Sequence, residues 1–108
     1  MDALLDAITD PHRRTLLAAL RSGSATVTEL AELLPIARPG VSRHLRILRE
    51  AGLVESRRDA QRRIYELRTA PLIELDEWLA PYRALWTQRM DALHTEVSRG
   101  KKERGAAE

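Results

Sequence analysis

The sequence has no cysteine and no phenylalanine, only two tryptophans and two tyrosines, and no long hydrophobic run. Without cysteine, the chain can form no disulfide framework, no thiolate metal site and no cysteine nucleophile. No segment is apolar for long enough to span a bilayer, and the N-terminus lacks the basic start and apolar stretch of a signal peptide. We therefore expect a cytoplasmic protein that does not enter a membrane.

The length of 108 residues limits the chain to one domain with a modest core, so that dimerisation is a ready way to bury more apolar surface. We assign this domain to residues 1–98. The remaining residues, 99–108, are mostly charged or small, and we expect them to form a disordered tail.

Positive charge is concentrated in one third of the chain. Residues 38–68 hold nine arginines and four acidic residues, a net charge of +5, whereas the rest of the chain holds nine basic and twelve acidic residues, a net charge of −3. A solvated surface with no partner would intersperse the two signs. The segregation is typical of a module that faces phosphates.

Residues 28–53 have the pattern of two short amphipathic helices joined by a tight turn. In the second helix, apolar residues at i, i+4 and i+7 share one face: Val41, Leu45 and Leu48. At about 100° per residue, Arg43 and Arg46 point away from that face, and Ser42 lies at its flank. The pattern predicts a helix-turn-helix whose second helix is free to enter a DNA groove.

The predicted helix starts differ in quality. Asp10 and Pro11 are a good N-cap and first residue for an early helix. For the first helix of the helix-turn-helix, we expect Thr28 as the cap and Pro35 as the end, although Thr26 with Glu29 also has the spacing of a capping box.

The second helix of the helix-turn-helix begins at an alanine, Ala37, which offers no cap. We interpret this as an end that stays loose until phosphate oxygens accept from its amides.

Two β-type runs follow, 53–58 and 62–68, and they predict a hairpin. In the second run, Tyr65 and Leu67 share a face that can rest on the core. Four arginines lie near the tip: Arg57, Arg58, Arg62 and Arg63. The predicted fold is therefore mainly α with a small β-hairpin, a winged helix-turn-helix of about five helices and a two-stranded wing.

A helical pattern resumes at Pro71 and carries an apolar seam with residues three and four apart. Pro81 lies inside it, and we expect a bend near Leu79. Trp78, Tyr82 and Trp86 provide more aromatic surface than a small core needs. We expect part of this helix to pack against a second subunit, the alternative being that the first two aromatics cover the core of the monomer.

Several strings, in this order and spacing, resemble the ArsR/SmtB-type winged-helix repressors of bacteria: 10–14, 29–31, 39–45, 48–54 and 63–67. The resemblance runs from Asp10 to about Val97. It implies a homodimer of the first and last helices that binds double-stranded DNA at an imperfect palindrome and represses transcription. Together with the helical projection, which adds Arg46, it assigns DNA contacts to Arg38, Ser42, Arg43, His44, Arg46, Arg57, Arg58, Arg62 and Arg63. The apolar residues of those two helices are the dimer contacts that we expect: Leu4, Leu5, Ile8, Trp78, Tyr82, Trp86, Met90 and Leu93.

Two features qualify the resemblance. The projection of His44 lies beside the buried stripe, so that it is either a packed, hydrogen-bonded histidine or a phosphate contact. Many members of this family sense metals, but here the cysteines are missing, and Asp91 with His94 supplies only half of the alternative site. We expect no metal and no cofactor, and the sequence names no inducer.

Two other functions compete with DNA binding. The alternative is a winged helix whose arginines face an acidic protein partner. In a gel shift, specific retention of one DNA fragment would favour the regulator, and no retention at low salt would favour this alternative. An enzyme is not expected, because the three histidines, 12, 44 and 94, fall on different predicted elements with no phosphate loop or carboxylate pair beside them. We therefore predict a sequence-specific DNA-binding regulator.

Overall fold

The computed structural model describes the backbone of residues 1–107 and the side chains of residues 1–97. In this part of the chain there are five helices and three strands, as the predicted winged helix-turn-helix requires. Their order is α1 (Asp2–Ile8), α2 (Pro11–Leu20), β1 (Ala25–Thr26), α3 (Val27–Ala31), α4 (Arg38–Glu50), β2 (Val54–Asp59), β3 (Arg62–Leu67) and α5 (Ala70–Ala107). The tail predicted over 99–108 lies outside the described side chains and stays a prediction.

The start of α2 is as predicted. The Asp10 carboxylate accepts the backbone amides of His12 at 2.7 Å and Arg13 at 3.3 Å, and Pro11 follows the cap. Burial alone would raise the pKa of Asp10, but these amides and the positive charge of Arg13 hold that pKa below its usual value. The cap therefore keeps its charge at the positive end of the helix dipole.

The start of α3 corrects one prediction. Its cap is Thr26, not Thr28: the Thr26 hydroxyl accepts the Glu29 amide at 3.2 Å, while the Glu29 carboxylate accepts the Thr26 amide at 3.0 Å. The reciprocal pair satisfies two amides, which a cap at Thr28 would leave unpaired. The end also differs, because α3 stops at Ala31, and turns carry the chain to α4 without a helix reaching Pro35.

Helix α4 buries the predicted stripe completely, with Val41, Leu45 and Leu48 each 0% exposed. Its N-cap, Ala37, makes no side-chain bond. After the helix, Gly52 turns the chain toward β2 with a φ of +76°, a left-handed conformation that glycine adopts without strain. The uncapped start was predicted.

The three strands form one antiparallel sheet in the order β1-β3-β2. Tyr65 lies in the core as predicted, with Leu67 packed against it, and Ile64 on the opposite face is also buried. In the sheet, Thr26 of the short strand β1 pairs with Ile64. The other buried core residues are Leu4, Ala7, Leu16, Leu20, Leu30, Leu34, Val41, Leu45, Leu48, Leu53 and Val54.

Helix α5 is assigned as continuous through Pro81, so that the proline does not end it, and the expected bend near Leu79 stays a prediction. The chain divides into two compact units, Met1–Leu75 and Asp76–Glu108. In the first unit, Leu72 and Leu75 pack against the core. In the second, Arg83 forms an ion pair with Asp76 along the helix. Among the residues described, no helix combines the length and apolarity that a membrane crossing needs.

Candidate nucleic-acid interface

The exposed face of α4 carries the predicted Ser42, Arg43 and Arg46, all solvent-exposed. With Arg49, Tyr65 and Pro39 they line an open groove of about 390 Å³ between α4 and β3. Arg49 is absent from the residues predicted to contact DNA. The signal for it was present, because residues 42, 46 and 49 are spaced i, i+4 and i+7 on one helix face.

The arginines of this groove are available to a ligand. Within residues 1–97, the ion pairs and side-chain hydrogen bonds of the protein involve none of Arg43, Arg46 and Arg49. A guanidinium is a planar donor that matches phosphate oxygens or the O6 and N7 acceptors of guanine. The groove is therefore suited to either partner.

Arg38 lies in a second groove, of about 460 Å³, which also brings in Gln61, Arg62 and Arg63 from the hairpin tip. Its guanidinium donates to the Thr28 hydroxyl at 3.3 Å. The predicted DNA residues therefore fall into two groups, one along the face of α4 and one between the start of α4 and the wing.

The register of the wing separates its four arginines. Arg58 lies opposite Arg63, and Asp59 lies opposite Arg62. Since side chains alternate between faces, Arg58 and Arg63 share the face of Tyr65, and the other two arginines share the face of Ile64. On that second face, Arg62 pairs with Asp59 at 3.3 Å, and Arg57 lies 3.6 Å from the Glu66 carboxylate.

The first face has no such neutralisation. Arg63 donates to the Ser56 hydroxyl at 3.1 Å, and none of the ion pairs within residues 1–97 includes Arg58 or Arg63. Two like charges directly opposite each other on a hairpin repel, which favours a counter-anion between them. Arg58 and Arg63 are thus the two wing arginines whose charge no acidic side chain balances within residues 1–97.

His44 is half-buried, and its Nδ1 lies 3.1 Å from Nη1 of Arg13 on α2. Burial lowers the pKa of His44 below its ordinary value, with the cations Arg13 and Arg43 adding to the shift and Asp10 opposing it. This geometry favours the packed, hydrogen-bonded histidine among the two alternatives. Arg13 could not be found from the sequence, because it is 31 residues away from its partner.

A large apolar surface runs along α5 in the second unit. Trp78 and Tyr82 are stacked at a tilt, with ring centroids 5.0 Å apart, and both are about half exposed. The exposed apolar residues beyond them are Leu85, Trp86, Met90, Leu93 and Val97. Leu85 is an addition to the predicted set, and it lines a shallow groove of about 380 Å³ with Tyr82, Trp86 and Arg89.

The three α1 residues predicted at the dimer interface have different environments. Leu5 is 41% exposed, Ile8 is partly buried, and Leu4 is a core residue with only 2% of its surface exposed. Leu4 therefore holds α1 on the domain, and it is the neighbouring Leu5 that offers apolar surface to another molecule.

Metal-ligating residues do not cluster in the described part of the chain. No group of three or more His, Asp or Glu side chains there is arranged to hold an ion. Asp91 and His94 both lie exposed on α5, as the sequence placed them, without a second pair of ligands among the described residues.

Comparison with known proteins identifies relatives of this chain. Residues 10–56 match the model of the bacterial regulatory protein, arsR family. The chain is 35% identical to the transcriptional repressor SdpR of Bacillus subtilis, over 73% of this chain and 88% of that protein. It is also 35% identical to the biofilm growth-associated repressor of Xylella fastidiosa, over 82% of this chain and 76% of that protein.

A solved structure is similar to this chain in fold. The crystal structure of an ArsR family transcriptional regulator superimposes with a TM-score of 0.73 and 30% identity, over 80% of this chain and 94% of that one. These comparisons do not favour the alternative of a protein-interaction module. The chain belongs to the ArsR family of bacterial regulatory proteins, which are DNA-binding transcriptional regulators.

Proposed function

We propose that the protein is a cytoplasmic homodimeric repressor, without enzyme activity, that binds an imperfect palindromic operator through α4 and the wing. The observation that carries this proposal is the groove between α4 and β3, where three arginines without internal partners among residues 1–97 stand on one helix face. Positive charges that are held together on one face and are not neutralised there are suited to binding a polyanion such as DNA.

The two groups of arginines have different roles in this proposal. Arg43 and Arg46 enter the major groove and donate to guanine O6 and N7, so that they supply sequence discrimination. Arg38 and the wing pair, Arg58 and Arg63, contact phosphates, so that they supply affinity that depends on salt and not on sequence. Arg49 is added to the set as a phosphate contact at the C-terminal end of α4.

The dimer is proposed from the exposed apolar residues of α5 together with Leu5. A contiguous stretch of exposed Trp, Tyr, Leu and Met side chains is costly to leave in water, and burial against a second copy removes that cost. In a two-fold dimer, the two α4 helices enter successive major grooves about 34 Å apart, which requires the palindrome. Binding across a promoter then blocks its use.

A gel-shift series with the DNA upstream of the protein's own gene tests the proposal. Increasing salt should weaken retention of all fragments and leave one fragment bound after the others are released. A matched fragment with its base order shuffled is the control. Equal release of both fragments at every salt concentration would show that the arginines do not discriminate between sequences, and no retention at low salt would exclude DNA binding altogether.

A further inference from the structure

The guanidinium of Arg13 joins three elements of the first unit. Its Nε donates to the Ala7 carbonyl at 2.6 Å, and its Nη2 donates to the Asp6 carbonyl at 3.2 Å, both at the C-terminal end of α1. Its Nη1 lies 3.1 Å from Nδ1 of His44 on α4. One side chain of α2 is thus in contact with both the end of α1 and the middle of the DNA-contacting helix.

The chemistry of this contact determines the state of His44. Arginine is always protonated and can only donate, so Nδ1 of His44 must accept, and the ring is neutral with its proton on Nε2. The other charged groups that face the ring are Asp10 before α2, His12 on α2 at a centroid distance of 5.7 Å, and Arg43 on α4. Addition of a proton to Nδ1 would set two donors against each other and break the contact.

The contact lies where a small rotation of α4 matters. His44 follows Arg43 and precedes the fully buried Leu45, so that it stands at the border between the groove face and the core face of the helix. The buried stripe of Val41, Leu45 and Leu48 turns one face of α4 to the core, but it leaves small changes of rotation about the helix axis open. A hydrogen bond at the border, anchored by two carbonyls of α1, can fix that rotation.

We propose that Arg13 is a positioning residue for DNA binding, which holds α4, through His44, at the rotation that presents Arg43 and Arg46 to the major groove. This role rests on the proposed function. It differs from a simple helix-capping role, for which the chain supplies a matched control. Arg14, the next residue, also donates to a carbonyl at the end of α1, that of Ile8 at 2.8 Å, but within residues 1–97 it makes no hydrogen bond to His44.

The experiment uses two duplexes, one selected because the unmodified protein retains it specifically and one of random sequence. Fluorescence anisotropy measures the affinity for each at about pH 8 and about pH 5.5. Arg13→Ala should lower affinity for the selected duplex roughly tenfold, the loss expected for one charge-assisted hydrogen bond. Arg14→Ala should stay within about twofold of the unmodified protein. Circular dichroism and urea unfolding establish that each variant is folded.

The pH dependence separates positioning from simple charge. The unmodified protein should lose affinity for the selected duplex as His44 is protonated, by at most about tenfold per pH unit because one proton is linked. Simple charge addition predicts the opposite sign, since a new cation should tighten binding to DNA. His44→Asn keeps an acceptor at the position of Nδ1 and does not titrate, so it should rescue binding at low pH, whereas His44→Leu should bind weakly at both pH values.

The outcomes distinguish this role from the proposed function. If the unmodified protein binds no duplex at either pH, the proposed function fails, and the role of Arg13 fails with it. If it binds, but Arg13→Ala and Arg14→Ala lose affinity equally, or His44→Asn keeps the pH dependence of the unmodified protein, then the positioning role is wrong and the proposed function stands. If Arg13→Ala does not fold, the comparison of His44→Asn with His44→Leu tests the positioning role without it.

Discussion

Arg58 and Arg63 face each other directly across the wing hairpin, on the face that carries Tyr65, while the arginines of the other face are paired with acidic residues. This relationship assigns unequal roles to four arginines that look equivalent in the sequence. The charges that repel each other in the free protein are the charges that phosphates can separate and neutralise. The binding of DNA would therefore relieve an unfavourable interaction of the free wing.

The wing prediction follows from this geometry. Arg58→Ala and Arg63→Ala should each weaken binding to all DNA sequences alike. Each should also make the negative slope of the logarithm of the binding constant against the logarithm of the salt concentration less steep by about 1. Arg62→Ala is the control, and it should have a smaller effect, because Arg62 is already neutralised by Asp59. Anisotropy titrations at several salt concentrations measure the slopes, and a larger loss in Arg62→Ala than in Arg63→Ala would contradict the assignment.

The groove on α4 gives a second prediction. Arg43→Ala should flatten base preference, with a loss of roughly 1 to 3 kcal/mol of discrimination between the operator and a variant that has one guanine replaced. Arg63→Ala should leave that discrimination intact while lowering both affinities. Competition titrations with the two duplexes measure the difference. The assignment would be wrong if both substitutions changed operator and random DNA by the same factor.

The sequence could predict the local features of this fold, because they depend on short-range periodicity. The stripe of Val41, Leu45 and Leu48, the cap at Asp10 and the hairpin all follow from spacings of a few residues. The cap of α3 was assigned to Thr28, although the capping-box spacing of Thr26 with Glu29 was the sequence signal for the correct threonine. Arg13 with His44, and the division of the wing arginines, depend on tertiary contacts and strand register, which no short window contains.

The start of α4 gives a third prediction. Of the first three amides of the helix, Pro39 has none and Gly40 already donates to the Ala37 carbonyl at 2.9 Å, so that a new cap has little left to satisfy. Ala37→Ser should therefore stabilise the free protein by only about 0.5 kcal/mol, the lower end for such caps. If the amides at the start of α4 donate to phosphate oxygens when DNA is bound, a serine cap competes for them, and the same substitution should also change DNA affinity. Urea unfolding and anisotropy measure the two effects, and a stabilised protein with unchanged affinity would show that the loose end has no role in binding.

The apolar face of α5 gives a fourth prediction. Trp86 is 47% exposed, so Trp86→Glu should leave the fold intact and shift the protein from dimer to monomer in sedimentation velocity. Operator affinity should fall by about 10² to 10⁴, because the two half-sites are no longer bound by a linked pair. Gln88→Glu, an exposed substitution on the same helix, adds the same charge and serves as the control. A dimer that survives Trp86→Glu would place the interface elsewhere.

The fifth prediction concerns pH and stability. His44 has a pKa below its ordinary value of 6.5, chiefly because of burial, so the native state binds fewer protons than the unfolded state below that pH. The contribution of His44 to stability is therefore fully present above about pH 6.5 and is lost as the pH falls toward the native pKa. Urea unfolding between about pH 7.5 and 5.5 should show this loss in the unmodified protein and a smaller loss in His44→Asn. Equal slopes in the two proteins would exclude His44 as the source.

The most direct test of sequence-specific DNA binding is the selection of genomic fragments bound by the purified protein, followed by sequencing. We expect enrichment of one or a few fragments that share an imperfect inverted repeat with half-sites about one helical turn apart. The same selection with Arg43→Ala should lose the enrichment while still retaining DNA at low salt. If enrichment is absent in the unmodified protein, or unchanged by Arg43→Ala, the protein does not read DNA sequence through Arg43 as proposed.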